Sequence, residues 1–322
     1  TLTPPNFPIG ASTRELGMNT NRAEYLPHKG VMVEDISSLL TDVPGGNFID
    51  ATYGYGSHFK LSKKHDHLKF IGFDRDIESV KNSNAQHDVN HLNFSEIHNF
   101  LFVNKLLPIS GILYDFGLSS HQIDSDHRGF SFQKNTKLDM RMDTEQKITA
   151  EYILNNYLEE DLSRVLKFYS EDKYFYRITK KIVESRPILT TNDLIKVIKE
   201  AIPKQNPIYI KKTIRKIFQA IRIEVNNELN EIKSSLDSIK ESIVAEGIIV
   251  CISYHSLEDK IVKNFFKDIT TDCICDTSIP ICKCEIKQQF IHPKKKKYTP
   301  SDNEKKSNSR SKSAIMRYVI KL

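Results

Sequence analysis

An apolar run that ends in an acid and then in two alternate glycines constrains this chain more than any other stretch: Asn47-Phe48-Ile49-Asp50-Ala51-Thr52-Tyr53-Gly54-Tyr55-Gly56-Ser57-His58. It reads as a β-strand, a tight turn where backbone can approach a ligand, and the start of a helix. In open α/β sheets, ligands sit in the crevice beyond the carboxyl ends of the strands, which makes this turn a candidate cofactor floor. A second apolar run, from Leu68 to Phe73, ends in Asp74, about twenty residues past the glycines. That is the spacing at which an acid meets the hydroxyl pair of a ribose. The plainer alternative has Gly54 and Gly56 turning a corner and Asp74 capping the next helix; the presence of both acids weighs against it.

A dinucleotide fingerprint needs a third glycine where helix and strand pack, and that position is the bulky Phe59. No Gly-Lys-Ser/Thr follows the glycines to hold phosphates and magnesium. NAD and a P-loop nucleotide are therefore disfavoured. The remaining common occupant is a nucleoside without phosphate, such as S-adenosylmethionine.

The rhythm around this turn is that of a doubly wound α/β sheet. A helix with Val33, Ile36, Leu39 and Leu40 on one face precedes it and stops at Pro44-Gly45-Gly46. A helix capped by Asp76 follows the second strand. His91-Leu92-Asn93-Phe94-Ser95 is a third-strand candidate, with Phe94 placed against an adenine face or in the core. A fourth strand from Gly111 ends in Asp115 and then small residues, which leave room for a substrate. The first part of the sheet domain thus occupies residues 28–120.

From His121 the pattern turns helical and polar, and residues 121–213 read as an inserted helical domain for substrate recognition. Its entrance loop, residues 122–143, is long enough to suggest a function. Its exit lies near Pro207, just ahead of Lys211 and Lys212. Residues 214–243 then read as one long amphipathic helix that returns the chain to the sheet. Residues 247–254 form the fifth strand, Ser256 caps the next helix with Asp259 in the capping-box place, and residues 313–322 supply a last strand. The second part of the sheet domain spans residues 214–322, with a Cys-rich loop at 273–284 and a basic segment at 294–312.

No apolar run approaches the length of a membrane span, so the expectation is a soluble protein. The formal net charge of +6 is modest, but lysines concentrate near the C-terminus, as a polyanion partner or a merely solvated basic loop would have them. Five cysteines do not make a secreted disulfide framework, so a reducing compartment is expected. Residues 1–27 read as an N-terminal extension, a leader or a cloning extension, with Met18 a candidate natural start.

Taken together, the motifs resemble the bacterial small-subunit ribosomal RNA cytosine-N4 methyltransferase family. The resemblance runs from His28 through Asp50-x-Thr52-x-Gly54-x-Gly56-x-His58, Gly72-x-Asp74-Arg75-Asp76 and Asp115-x-Gly117-x-Ser119-Ser120-x-Gln122. It continues in Arg128-Gly129-Phe130-Ser131-Phe132, Leu138-Asp139-Met140-Arg141-Met142-Asp143, Phe218-Gln219-Ala220-x-Arg222 and Ser253-x-His255-Ser256-Leu257-Glu258-Asp259. It implies a class I (Rossmann-like) methyltransferase fold and methyl transfer from S-adenosylmethionine to N4 of a cytidine in the decoding region of the small subunit, in a bacterial cytoplasm or an organelle. It also implies cofactor contacts at Gly54, Gly56, Ser57, His58, Asp74, Phe94, Asp115 and Gln122. The partner is small-subunit ribosomal RNA, naked or assembled, and both a monomer and a homodimer are compatible with the sequence.

Cytosine N4 is a poor nucleophile, so the enzyme must hold it in line with the methyl group and accept a proton as the bond forms. Asp115, Ser119 and His255 are the candidate acceptors. Arg128, Arg141, Arg215, Arg222, Lys294, Lys295, Lys296 and Lys297 are candidate phosphate partners. Cys273, Cys275, Cys282 and Cys284 read either as a structural zinc site or as a redox-labile thiol loop. The rival functional reading is an RNA-binding ribosome-assembly factor that keeps the fold without catalysis.

Overall fold

The computed structural model describes residues 30–125, 127–203, 206–273, 275, 284 and 286–322. The N-terminal extension, His28 and Cys282 lie outside the described residues. Seven strands form one sheet: β1 (Gly46–Asp50), β2 (Leu68–Asp74), β3 (Val89–His91), β4 (Ile109–Asp115), β5 (Ile243–Ser253), β6 (Phe290–Ile291) and β7 (Ile315–Lys321). Their order is β3-β2-β1-β4-β5-β7-β6. Strands β1 to β5 run parallel to one another, and β7 runs antiparallel to β5.

The order reverses between β1 and β4, so the ends of β1, β2, β4 and β5 open on one crevice, as expected at a topological switch point. These central strands are nearly continuous apolar runs because both faces of the sheet are covered. Ile49, Ile71, Tyr114 and Cys251 face one cluster, and Phe48, Phe70, Leu113 and Val250 the other.

The helices are α1 (Val33–Leu40), α2 (Ile77–Lys81), α3 (Ile97–Val103), α4 (Ser120–Asp124), α5 (Ala150–Asn156), α6 (Glu159–Ser170), α7 (Phe175–Glu184), α8 (Thr191–Ala201), α9 (Pro207–Asn226), α10 (Glu228–Ile239), α11 (Ser256–Ile269) and α12 (Asp302–Ser307). Asp76 caps α2 through a hydrogen bond from Glu78 N–H, as read from the sequence. Helices α5 to α9 bury a separate cluster that runs from Phe130 to Val225. The helical core therefore continues past residue 213, the boundary expected from the sequence.

Four local expectations are corrected. The glycine turn leads into a 3₁₀ turn, Phe59–Lys63, rather than an α-helix. The third strand is Val89–His91, and Phe94 opens a 3₁₀ turn beyond it. The single long helix is two helices, broken at Asn227, whose φ of 51° lies in the left-handed region that Asn tolerates. The break lets Glu228 fold back onto Arg222. Finally, His255 caps α11 and Glu258 closes its capping box. Asp259 pairs instead with Arg317, at 2.7 and 3.0 Å.

Candidate active site

A cavity of about 930 Å³ lies over the strand ends, with the helical unit on its other side. Its floor comes from the glycine turn. Gly54 has φ +55°, and its N–H donates to Asp74 Oδ2 at 2.7 Å, while Asp76 N–H donates to Asp74 Oδ1 at 2.8 Å. The Asp74 carboxylate is thereby fixed at the end of β2 and faces the cavity, which it lines with Gly54, Ser57, His58, Phe94, Asp115 and Gln122. Gly56 is not among the lining residues; a Cβ there would come within 2.8 Å of the Tyr53 hydroxyl, so this glycine serves the turn.

Four acids converge beneath and around this floor. Asp50, at the end of β1, is fully buried, and its Oδ2 has no hydrogen-bond partner among the described residues. Burial pushes its carboxyl up to about 7 and that of Asp74 up to about 6. Burial also raises Asp115, opposed by His58 and by the Tyr254 hydroxyl. That hydroxyl donates to Asp115 Oδ1 at 2.6 Å, and His58 Nδ1 lies 3.8 Å from Asp115 Oδ2. Glu258 is buried too, yet the charges of His255 and Arg222 and the Tyr254 N–H hold it below the ordinary glutamate range.

Tyr254 is the residue that sequence reasoning missed. It directly follows β5, packs under Gly117, where a Cβ would meet its ring at 2.9 Å, and fixes one oxygen of Asp115. The other oxygen is turned toward His58, and about a fifth of the Asp115 side chain stays exposed.

Ser119 and His255 have different duties from Asp115. The Ser119 hydroxyl accepts from Gln122 N–H and caps α4. His255 Nδ1 accepts from Glu258 N–H and caps α11, while its Nε2 sits 3.0 Å from Glu258 Oε1. Gln122 spends its amide on Asp76 Oδ2 and its carbonyl on Ser119 N–H, so it braces the floor.

The arginines divide. Arg128 is 1% exposed and bound to Asp76, Glu78 and the carbonyls of Arg141 and Met142, so it is removed from any phosphate. Arg141 is clamped to Asp139 and to the carbonyls of Thr144 and Gln146. Neither lines the cavity. Arg222 and Arg215 do, although Arg222 is paired with Glu228, and Arg215 is exposed. Lys294, Lys295, Lys296 and Lys297 are exposed away from the lining, while Arg310 and Lys312 stand on it.

The Cys273, Cys275 and Cys284 sulfurs lie within 4.8 Å of one another. Glu228, His255 and Glu258 also cluster, but Arg222 already supplies the positive charge there. No helix among the described residues is long and apolar enough to cross a membrane.

The cavity fits S-adenosylmethionine on its own chemistry. Asp74 presents acceptors to a ribose, the rim offers the Phe94 ring, and the Asp115 carboxylate on the lining offers negative charge to the cationic sulfonium and ammonium groups.

Comparison with known proteins agrees. The profile described as "MraW methylase family" matches residues 25–322. A protein named ribosomal RNA small subunit methyltransferase H from Caldicellulosiruptor bescii is 40% identical over 93% of this chain and 99% of its own. Proteins of the same name from Clostridioides difficile and Halothermothrix orenii are 40% and 39% identical, over 92% and 91% of this chain and 99% and 97% of theirs. A match of this extent, with the acid-ended strands and glycine turn in place, means that the chain belongs to the MraW methylase family, whose members use S-adenosylmethionine.

Proposed function

We propose that this protein methylates the exocyclic N4 of a cytidine in the decoding region of small-subunit ribosomal RNA, in a bacterial cytoplasm. The observation that carries the reading is the pairing of Asp74 on Gly54 N–H with Asp115 on Tyr254, two acids held at the ends of β2 and β4 across one cavity.

S-adenosylmethionine, when bound, supplies an electrophilic methyl group on a sulfonium. Asp74 takes the ribose hydroxyls, the 54–58 turn carries backbone contacts, and Phe94 flanks the base. The target cytosine leaves its stack and enters from the side of the helical unit, where Phe130, Phe132, Met140 and Met142 line the cavity and exclude water. Asp115 receives the N4 hydrogen bond, orients the amino group and takes the proton released as the new bond forms. Its raised proton affinity favours taking up that proton. Arg215 and Lys312 on the rim meet the flanking phosphates, and the exposed lysines 294–297 extend the basic surface.

The test is incubation with labelled S-adenosylmethionine and small subunits lacking the modification, then nucleoside mass analysis, with Asp74→Ala in parallel. Label in N4-methylcytidine that Asp74→Ala abolishes is the expected result. Failure to bind the cofactor at all would overturn the enzyme and favour an assembly factor.

A further inference from the structure

We infer that the first half of α9, together with the residues that open α7, is a docking rail for the single-stranded RNA flanking the target nucleotide. The inference rests on the RNA-methylation reading above and adds a surface that lies outside the cavity.

Charge singles the rail out. Residues 207–220 hold Lys211, Lys212, Arg215 and Lys216 and no acid. Lys211, Lys212 and Arg215 are exposed. Lys211, Arg215 and Gln219 follow one another at four-residue spacing, hence along one helix face, and the last two line the cavity. The row therefore leads outward from the site by one helical turn per residue.

Aromatic rings stand beside it. Tyr174 and Tyr209 meet edge to face with centroids 6.0 Å apart, and Lys173 Nζ lies 4.9 Å from the first ring and 5.5 Å from the second. Tyr209 precedes Arg215 by six residues, a rise of about 9 Å. Lys212 stands between them, three residues from each and so a neighbour of both on the helix surface, and a base adjacent to the flipped cytidine can thus reach the tyrosine pair while its phosphate meets Lys212. Stacking on aromatic rings with lysine alongside is how proteins hold unpaired nucleic acid without reading its sequence.

The rail is fastened to the mouth of the cavity. Lys216 Nζ donates to the Glu171 carbonyl at 2.8 Å, and the Glu171 carboxylate accepts from the Ser256 hydroxyl at 3.0 Å, next to the cavity residue His255. These contacts hold the α6–α7 connection, and with it Lys173 and Tyr174, against the strand-end rim. Exposed Ile208 and Tyr176 add apolar contact for unstacked bases, and four cations without an acid over residues 207–220 match the phosphates of RNA.

The experiment measures methyl transfer to unmodified small subunits over a range of salt, with S-adenosylmethionine affinity measured by calorimetry on the same preparations. For the pair Lys211→Ala and Lys212→Ala, KM for the subunit should rise about tenfold or more, with cofactor affinity unchanged. The slope of log affinity against log salt should fall by roughly 1.4, for two lost phosphate contacts. Tyr209→Ala should raise KM by roughly tenfold with the salt slope retained. Arginine at both lysine positions should restore the wild-type values, which a folding defect would not allow. Unchanged KM and slope in variants of an active enzyme would overturn the rail. A wild-type protein that binds the cofactor but transfers no methyl to the subunit would overturn the reading beneath it.

Discussion

The guanidinium of Arg128 lies 3.0 Å from Asp76 Oδ2 and 2.8 Å from Glu78 Oε2, and the Nη2 that meets Asp76 also reaches the carbonyls of Arg141 and Met142. One buried side chain thus joins the loop after β2, which carries Asp74, to the entrance of the helical unit. Asn226 reinforces the joint: its side chain bonds Met142 N–H and the Met140 carbonyl, and its own carbonyl accepts from Arg75. Cofactor floor and helical unit are in this way a single hydrogen-bonded body at that point.

Replacing Arg128 with methionine leaves the Asp76 carboxylate buried without its cation. The expected loss of stability is about 3–5 kcal/mol, read by urea denaturation, together with weaker S-adenosylmethionine binding. A phosphate-contacting arginine would behave otherwise, with stability intact and only the salt dependence of RNA binding reduced. That second pattern would refute the joint.

Asp50 and Asp74 give the ligand-free protein an unusual pH dependence. Their carboxyls are raised by burial to about 7 and about 6, from 3.8. The unfolded chain releases these protons first, so between about pH 4 and 7 the folded state binds more protons and stability falls as pH rises. A tenfold difference in proton affinity between the folded and unfolded states is worth about 1.4 kcal/mol. A cationic ligand gains from the charge of these acids only where they are ionised. The rise in melting temperature at saturating S-adenosylmethionine should therefore be larger at pH 8 than at pH 5, and Asp50→Asn should flatten the difference. Equal rises at both pH values would contradict this assignment.

Tyr254→Phe isolates one hydrogen bond. Without the hydroxyl, the ionised form of Asp115 loses a donor at 2.6 Å, and its carboxyl rises further. The acidic limb of the kcat profile should move up by about one pH unit, with the alkaline plateau nearly unchanged. A lowered plateau with an unmoved limb would show that the tyrosine only packs beneath Gly117.

What the sequence made legible is what periodicity and terminal residues can encode. The apolar runs ending in Asp50, Asp74 and Asp115 are β1, β2 and β4, and the polar helical stretch after His121 is the separate cluster over the crevice. Asn227 was hidden because the apolar spacing of α9 continues into α10, and only the return of Glu228 to Arg222 explains the break. Arg128 was misassigned because an arginine near a glycine reads the same whether it meets a phosphate or a buried acid. Tyr254 left one usable signal: it follows the end of β5, the strand that pairs in parallel with β4, so its position beside Asp115 follows from the topology.

The metal content of the protein decides between the two readings of the cysteine loop. Cys284 Sγ lies 3.8 Å from Cys273 Sγ, far beyond a disulfide bond. Four thiolates around zinc at about 2.3 Å stand about 3.8 Å apart along each edge of the tetrahedron. The spacing matches one edge of such a tetrahedron, and the Cys273, Cys275 and Cys284 sulfurs all lie within 4.8 Å of one another. Elemental analysis of protein purified without chelator should find about one zinc per chain, and Cys273→Ser with Cys284→Ser should remove it. Because the loop follows α11 and precedes β6, metal loss should loosen the β6 edge while leaving cofactor affinity intact. Hydrogen exchange at Phe290 and Ile291 reads that loosening, and metal-free protein with unchanged protection there would leave the thiols as an unliganded loop.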